Sequence, residues 1–128
     1  MKITIIGTEP QFKVYKMHES VENKFYIGKT KKPLTERMQT HRTGRLSADI
    51  HFGNVGWNNV SVEILDVANN DEELAKKEEE HIIKNIKENF KNILNMHRIY
   101  IFNGKESLST RGVKSKAYHY FNELQYAE

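Results

Sequence analysis

The stretch Phe25-Tyr26-Ile27-Gly28-Lys29-Thr30 is typical of a short strand that leads directly into a helix. Its aromatic and β-branched residues favour extended backbone, and Gly28 permits a tight turn or a close approach at the end of the strand. Pro33 then suits the first turn of a helix, where its missing N–H costs nothing. Residues 11–18 form a second predicted strand, and a turn at residues 20–23 joins the two strands into a hairpin.

The hairpin brings two tyrosines together. Tyr15 and Tyr26 fall within about a residue or two of cross-strand register, so their hydroxyl groups should lie near each other. The helix that follows places Arg37 and His41 four residues apart on one stripe of its surface. We therefore expect two phenols, a guanidinium and an imidazole at one end of a small sheet.

The remaining elements can be placed more coarsely. Residues 1–8 are predicted to be a strand or an extended arm, and residues 45–59 a loop or a short helix. Alternating apolar residues at 60–67 predict a third strand. A long helix should run from residue 71 to about residue 90, with acidic residues in its first turn.

Composition indicates one globular domain. The chain has 128 residues, of which 38% are hydrophobic and 29% are charged, and this is enough for one modest core. No apolar run approaches the roughly 20 residues of a membrane helix, and no signal-peptide pattern is present. There is no cysteine, which excludes a disulfide framework and a thiolate zinc site. We expect an intracellular protein, in the cytoplasm or the nucleus, with no membrane partner.

Positive charge is concentrated after the central strand. The formal net charge is only +3, but residues 29–45 contain six lysines and arginines against the single carboxylate Glu36. A local excess of this kind favours contact with an anionic polymer such as a nucleic acid. The alternative is a solvated helix face with no ligand.

A carboxylate interrupts the apolar face of the long helix. At about 100° per residue, six residues of this region gather on one side: Ala75, Ile82, Ile83, Ile86, Phe90 and Ile93. Glu79 projects into the middle of that arc, whereas Glu78 falls at its edge and Glu80 outside it. A carboxylate among isoleucines needs a cation or hydrogen-bond donors, so Glu79 is a candidate functional residue. An ion pair with Lys76 or a frayed helix are the alternatives.

Together these side chains fit the hydrolysis of a phosphodiester bond. That reaction needs a base for the attacking water, positive charge around phosphorus and stabilisation of the leaving oxygen. A lone carboxylate with water and substrate phosphate suits Mg²⁺, and an arginine offers planar donors to phosphate oxygens. A tyrosine beside a cation can serve as a base when its pKa is lowered. Each residue alone is weak evidence, and the hypothesis depends on their convergence.

The pattern resembles the GIY-YIG nuclease domain family over about residues 11–95. In that family a tripeptide ending in tyrosine is followed by Tyr-Ile-Gly, then by Arg-x-x-x-His, a glutamate on a later helix and an asparagine. This chain has the elements in that order: Lys13-Val14-Tyr15, Tyr26-Ile27-Gly28, Arg37 with His41, Glu79, and Asn95 with Asn92 as the alternative. Lys13 and Val14 stand where the family has glycine and isoleucine, but the tyrosine is kept.

The resemblance implies an α+β fold with a small three-stranded antiparallel sheet flanked by helices, followed by a C-terminal extension at residues 96–128. It implies a metal-dependent DNA endonuclease. Glu79 would hold a single Mg²⁺ or Mn²⁺ ion at the scissile phosphate. Tyr15 or Tyr26 would be the general base for water, with Tyr15 favoured.

The resemblance also implies roles for the other residues. Arg37 would stabilise the charge on the phosphate, and His41 would transfer a proton or position a tyrosine. Gly28 and Asn95 would be structural. Three basic residues are the candidate phosphate contacts: Lys29, Arg42 and Arg45.

The function, the C-terminal extension and the choice of cleavage site each leave alternatives open. A non-catalytic nucleic-acid-binding module could keep the fold, and Lys13 in place of glycine is the argument for it. A small interaction or structural α/β domain, in which the tyrosines and Glu79 are incidental, is the other alternative. The extension at residues 96–128 either packs on the core, which its apolar piece at residues 99–102 and a predicted helix at 117–125 favour, or contacts DNA through a basic loop at 103–116. Sequence selection would come from DNA shape, from dimerisation or from a partner protein.

Overall fold

The computed structural model describes residues 1–102 and 104–109, and this part of the chain forms six strands and three α-helices. The strands are β1 (Lys2–Thr4), β2 (Phe12–Glu19), β3 (Lys24–Thr30), β4 (Val60–Ala68), β5 (Arg98–Phe102) and β6 (Lys105–Ser109). The helices are α1 (Leu34–Thr43), α2 (Ser47–Val55) and α3 (Asp71–Asn89).

Four of the strands form one mixed sheet, in the order β1-β4-β2-β3. β2 pairs antiparallel with both β3 and β4, which confirms the predicted α+β fold with a three-stranded antiparallel sheet. β1 adds a fourth strand, parallel to β4. Its sequence favoured a strand or an arm, and its partner could not be predicted because the pairing joins residues about sixty positions apart.

The hairpin of β2 and β3 has the predicted register. Tyr15 lies opposite Gly28, and Tyr26 lies opposite Met17, so the tyrosines are two positions apart across the strands. Asn23 ends the turn with a left-handed φ of 56°, a conformation that asparagine adopts more readily than most residues.

A β-bulge lies next to the first tyrosine. In the pairing of β2 with β4, Val14 is opposite Asp66 but Tyr15 is opposite Ile64, so Leu65 is the extra residue. A bulge of this kind bends the strand and changes the direction in which nearby side chains point. It therefore affects the placement of Tyr15.

The helices begin where local chemistry allows. α1 follows Pro33, and the backbone N–H of Leu34 donates to the side chain of Glu9 at 3.0 Å. Residues 47–55 form a helix, which decides between the two predictions for that region. At the start of α3, the Asn70 side chain accepts a hydrogen bond from the N–H of Glu73 at 2.8 Å, as an N-cap residue does.

Alternation along the central strands divides the core between the two faces of the sheet. One face packs against α3 and β5 with these buried residues: Val14, Phe25, Ile27, Leu74, Ile82, Ile86, Ile93 and Ile99. The other packs against α1 and α2 with these: Tyr15, Met17, Leu34, Met38, Ala48, Phe52, Val60 and Val62. β3 is an edge strand of this sheet, and the backbone of residues 92–94 pairs with it at Phe25.

The described part of the extension packs against α3. β5 and β6 form an antiparallel hairpin, and Ile99 is fully buried in the core with Ile82 and Ile86. The prediction of a loop at residues 103–116 is wrong for residues 105–109, which pair with β5 and form a strand. The rest of that loop and the predicted helix at residues 117–125 lie outside the described residues. Within the described residues, no helix is long and apolar enough to span a membrane.

Candidate active site

Tyr15 occupies a position that a glycine on the next strand makes possible. Its side chain is completely buried, and its ring lies over Gly28 of β3. A Cβ atom at residue 28 would lie only 2.5 Å from the Tyr15 Oη atom. Gly28 therefore has a steric role, and it is the close approach rather than a tight turn that requires it.

The phenol oxygen of Tyr15 is held between an imidazole and a guanidinium. Tyr15 Oη lies 2.6 Å from His41 Nε2, and Arg37 Nε donates a hydrogen bond to the same oxygen at 3.1 Å. Both partners come from α1, where a spacing of four residues puts them on one side of the helix. The structure thus brings these three side chains together.

Tyr26 joins the cluster from the edge strand. Its ring meets the ring of His41 edge-on, with centroids 5.5 Å apart, and it is partly exposed. A pocket of about 360 Å³ opens beside it, with Glu78, Asn95 and His97 among its lining residues. Tyr26 and Glu78 therefore have access to solvent through this pocket.

A carboxylate that the sequence analysis did not select completes the cluster. Asp49 Oδ1 lies 2.6 Å from His41 Nδ1, and the other carboxylate oxygen accepts a hydrogen bond from the N–H of Leu46 at 3.3 Å. Asp49 is on α2 and only 5% exposed. The helix dipole alone favours an acidic residue near the start of a helix, so its position there does not indicate a functional role. One signal was present: Asp49 is the single acid between Glu36 and Glu63.

Glu79 is not part of this cluster, which corrects the expectation for that residue. Its Oε1 accepts a hydrogen bond from the backbone N–H of Leu108 at 3.3 Å, on the side of α3 that faces the β5–β6 hairpin. The neighbouring Glu78 lines the pocket beside Tyr26. Its charge acts on Tyr26, Arg37 and Lys29. Glu78 is therefore the carboxylate that faces the site.

The error has a geometric cause. The buried residues of α3 are Leu74, Ile82 and Ile86, and Glu78 lies four residues after the first and four before the second. Ala75, which helped to define the predicted apolar arc, is exposed, and Ile93 lies beyond the end of the helix. The predicted arc also left out Leu74, whose burial centres the apolar face of α3 nearer to Glu78 than to Glu79.

Burial sets the protonation of the site. Burial raises the pKa of Tyr15 well above its usual range, as does Tyr26, and Arg37 only partly opposes this. Burial lowers the pKa of His41, with partial opposition from Asp49. Burial also raises the pKa of Glu78, against the opposite effect of Lys29 and Arg37. At neutral pH the Tyr15 phenol is thus protonated and His41 is neutral.

Asn95 holds the edge strand in place. Its side chain accepts from the N–H of Ile27 at 2.9 Å and donates to the carbonyl of the same residue at 2.8 Å. Asn92 lies further along the strand, where its side chain donates to the carbonyl of Asn23 at 2.8 Å. Asn95 is therefore the asparagine adjacent to Tyr26, and its contacts are structural.

The basic candidates lie on the surface around the cluster. Lys29 is exposed, and its positive charge acts to lower the pKa of Glu78. The Arg42 guanidinium lies over the Trp57 ring, 5.9 Å from its centroid. Arg45 is exposed and lines a second depression together with Arg37.

A model of the GIY-YIG catalytic domain matches residues 11–92 of the chain. The chain belongs to the GIY-YIG family. This is a family of nucleases, and the match confirms the resemblance predicted from the motifs. No curated protein and no solved structure gives a significant match. The matched region runs from the start of β2 to just beyond α3 and so contains the whole cluster around Tyr15.

The unusual lysine in the first GIY-YIG tripeptide has a structural explanation. Lys13 is almost completely buried, and its Nζ atom contacts the Glu9 carboxylate and the carbonyl of Pro10, each at 2.8 Å. Glu9 in turn accepts the hydrogen bond from Leu34 at the start of α1. Lys13 thus ties the segment before β2 to α1, and these contacts keep its ammonium group away from the Tyr15 hydroxyl.

Two groups of side chains have the donor chemistry for a divalent cation. Glu78 offers one half-buried carboxylate in a pocket with room for the water shell that Mg²⁺ retains, so the residues present fit such an ion. Glu19, Glu22 and His51 form the second group, with ligand atoms within 4.8 Å of one another. In that group Glu19 Oε2 already pairs with His51 Nε2 at 2.5 Å and Glu19 Oε1 with the N–H of Glu22, and these hydrogen bonds join the three residues to one another.

Proposed function

We propose that this GIY-YIG protein is a metal-dependent DNA endonuclease that hydrolyses phosphodiester bonds, with Tyr15 as general base and Glu78 as metal ligand. The observation that carries the proposal is the environment of one atom. Tyr15 Oη lies between His41 Nε2 and Arg37 Nε, at 2.6 and 3.1 Å, and Tyr26, whose ring meets the same imidazole, lines the pocket that contains Glu78. A phenol in these surroundings has a partner for its proton and a cation for its negative charge.

Arg37 has two functions in this proposal. Its Nε group donates to Tyr15, which stabilises a phenolate. The remaining guanidinium N–H groups can donate to phosphate oxygens as negative charge develops on them. Tyr26, on the other side of His41, lines the pocket in which we place the scissile phosphate.

Glu78 would hold Mg²⁺ or Mn²⁺, with water and substrate phosphate as the other ligands. When bound, the ion would supply positive charge for the phosphate and for the leaving oxygen. Burial raises the pKa of Glu78, which is consistent with a carboxylate whose natural partner is a cation. Among the basic side chains, Lys29 opposes this rise in the pKa of Glu78 most strongly, followed by Arg37.

We propose that the DNA backbone contacts Lys29, Arg42 and Arg45, which are all exposed. Phosphate contacts of this kind position a duplex without reading its sequence. Selection of a cleavage site would then come from DNA shape, from dimerisation or from a partner protein.

Adjacent glutamates provide the experiment that tests the proposal. Cleavage of supercoiled plasmid should require Mg²⁺ or Mn²⁺ and stop with chelator. Glu78→Gln should lower the single-turnover rate by at least about 10²-fold, because a metal ligand is lost. Glu79→Gln is the matched control, with the same chemical change one residue further along the helix, and its rate should stay within about twofold of the wild type.

Each alternative has its own outcome. A wild-type protein that binds DNA but cuts no substrate with either metal overturns the nuclease and supports the binding module. Loss of cleavage in Glu79→Gln with full activity in Glu78→Gln overturns the assignment of the ligand. Circular dichroism and melting curves for both variants separate these results from a loss of fold.

A further inference from the structure

Asp49 extends the Tyr15–His41 contact into a buried chain of three groups. Asp49 Oδ1 lies 2.6 Å from His41 Nδ1, and His41 Nε2 lies 2.6 Å from Tyr15 Oη. The side chains of His41 and Asp49 are only 2% and 3% exposed. We propose that Asp49 is a positioning residue that fixes the tautomer of His41, so that His41 Nε2 accepts the proton of Tyr15. This inference rests on the proposed nuclease function.

The hydrogen-bond chemistry determines the tautomer. An ionised carboxylate can only accept, so the proton of neutral His41 must be on Nδ1. The lone pair on Nε2 then faces Tyr15, whose hydroxyl donates to it. Arg37 Nε donates to the phenol oxygen from another direction, so this oxygen gives one hydrogen bond and receives another.

Proton transfer within this chain leaves each new charge beside an opposite one. The Tyr15 O–H bond breaks and the His41 Nε2–H bond forms. The phenolate then lies beside Arg37 and the imidazolium beside Asp49. The attacking water gives a proton to the phenolate as the water oxygen bonds to phosphorus, and the bond from phosphorus to the leaving oxygen breaks. The leaving oxygen takes a proton from solvent, and His41 releases its extra proton to solvent.

The same geometry separates the two tyrosines. Four titratable or charged side chains face His41 from the elements packed around it: Tyr15 on β2, Tyr26 on β3, Arg37 on α1 and Asp49 on α2. Tyr26 meets the imidazole through ring edges, at a centroid separation of 5.5 Å. Of the two tyrosine hydroxyls, that of Tyr15 lies within hydrogen-bond distance of His41. Tyr15 is therefore the phenol that His41 and Asp49 activate.

The connection between α1 and α2 is shaped around the Asp49 carboxylate. The Leu46 N–H donates to Oδ2 at 3.3 Å. At Gly44 an added Cβ atom would lie 2.1 Å from the same oxygen, which only glycine avoids. The backbone of Gly44 has φ −76°, so glycine is required there by lack of space, next to the Asp49 carboxylate and the Thr40 carbonyl, and not by backbone conformation. A second residue thus accommodates the carboxylate.

Asp49→Asn tests the inference because Leu46 determines how the new amide is oriented. The amide oxygen must face the Leu46 N–H, so the amide NH₂ must face His41 Nδ1. His41 then carries its proton on Nε2 and cannot accept from Tyr15. We expect ¹⁵N NMR to show His41 protonated on Nδ1 in the wild type and on Nε2 in the variant. We expect kcat to fall by about 10²–10⁴-fold, with KM unchanged.

Gly44→Ala is the second variant, because it keeps the charge but displaces the carboxylate. It should lower kcat and give a mixture of tautomers, and it decides the question if Asp49→Asn does not fold. Gly53→Ala is the matched control: it lies on α2, where its Cβ would meet Trp57 at an ordinary 3.8 Å, and its kcat should not change.

The outcomes separate this inference from the nuclease proposal. A wild-type His41 protonated on Nε2, or a folded Asp49→Asn or Gly44→Ala variant with wild-type kcat, overturns the role of Asp49 while the nuclease stands. The tautomer is measured without DNA. If it switches as expected but the wild type cuts no DNA, the positioning by Asp49 is supported and the nuclease proposal fails.

Discussion

Two histidine–carboxylate pairs lie along the β2–β3 hairpin, one beside Tyr15 in the middle of β2 and the other at the turn after β2. In one, His41 lies 2.6 Å from Asp49, and in the other, His51 lies 2.5 Å from Glu19. The side chains of both acids are almost completely buried, at 3% exposure for Asp49 and 0% for Glu19. Two pairs with the same chemistry thus lie in one small domain, and we propose a catalytic function for only one of them.

The difference lies in the third group of each pair. The second ring nitrogen of His41 contacts the Tyr15 hydroxyl. The second oxygen of Glu19 instead accepts from the N–H of Glu22 at 2.7 Å, which ties α2 to the turn after β2. A histidine–carboxylate pair alone therefore indicates nothing about catalysis. It becomes a candidate when the imidazole also reaches a group that can donate or accept a proton in the reaction.

The largest difference between the pairs should appear in DNA cleavage. His41→Gln removes the acceptor for the Tyr15 proton and should lower the single-turnover rate by at least about 10²-fold, the usual contribution of general acid–base catalysis. His51→Gln changes the same residue type in the other pair, and its rate should stay within about twofold of the wild type. The measurement is plasmid nicking at saturating protein, with melting temperatures as the check on folding. Equal losses in the two variants would contradict the comparison.

The motif residues show how far sequence alone leads. Tyr15, Tyr26, Arg37 and His41 could be predicted to converge because hairpin register and helix periodicity are local rules. The fold class followed from the same rules and from the family motifs. The parallel pairing of β1 with β4 could not be predicted, since it depends on contacts between distant parts of the chain.

The carboxylates were harder to predict because each depends on a tertiary detail. The choice between Glu78 and Glu79 is a rotation of about 100° around α3, and it is decided by which of its residues pack on the sheet. Asp49 depends on the path of the chain between α1 and α2, which is shaped by Gly44 and Leu46. Neither detail is encoded in periodicity.

The second pair should matter for stability instead. Glu19→Gln keeps the size of the side chain but replaces two charge-assisted hydrogen bonds, from His51 and from the Glu22 N–H, with weaker neutral ones. We expect the free energy of unfolding to fall by about 1–2 kcal/mol, with cleavage unchanged. Urea unfolding measures this. Glu22→Gln is the control, because Glu22 is exposed and 3.7 Å from His51, and it should cost less than about 0.5 kcal/mol. If the free energy of unfolding fell more for Glu22→Gln than for Glu19→Gln, the stabilising charge would be that of Glu22, and the prediction would be wrong.

The smallest expected effect is a difference in pH dependence. Each pair should lose its contribution to the free energy of unfolding over a different pH range. Burial lowers the pKa of His41, so the unfolded chain binds more protons than the native one below the usual histidine pKa of about 6.5. Burial raises the pKa of Glu19, but hydrogen bonds from His51 and from the Glu22 N–H outweigh it, and the net pKa is lowered. Its contribution is therefore complete above the usual glutamate pKa of about 4.3 and is lost only below it.

Subtracting unfolding curves isolates the two windows. The difference in unfolding free energy between the wild type and His41→Gln should be constant above about pH 6.5 and decrease as the pH falls below it. The corresponding difference for Glu19→Gln should stay constant down to about pH 4.3 and decrease only at lower pH. Both slopes have the same sign because both native pKa values are lowered. Urea unfolding of the three proteins, from about one pH unit below the lower limit to about one above the upper limit, measures the differences. A decrease for Glu19→Gln that begins near pH 6.5 would contradict the assignment of the lower window to the Glu19 carboxylate.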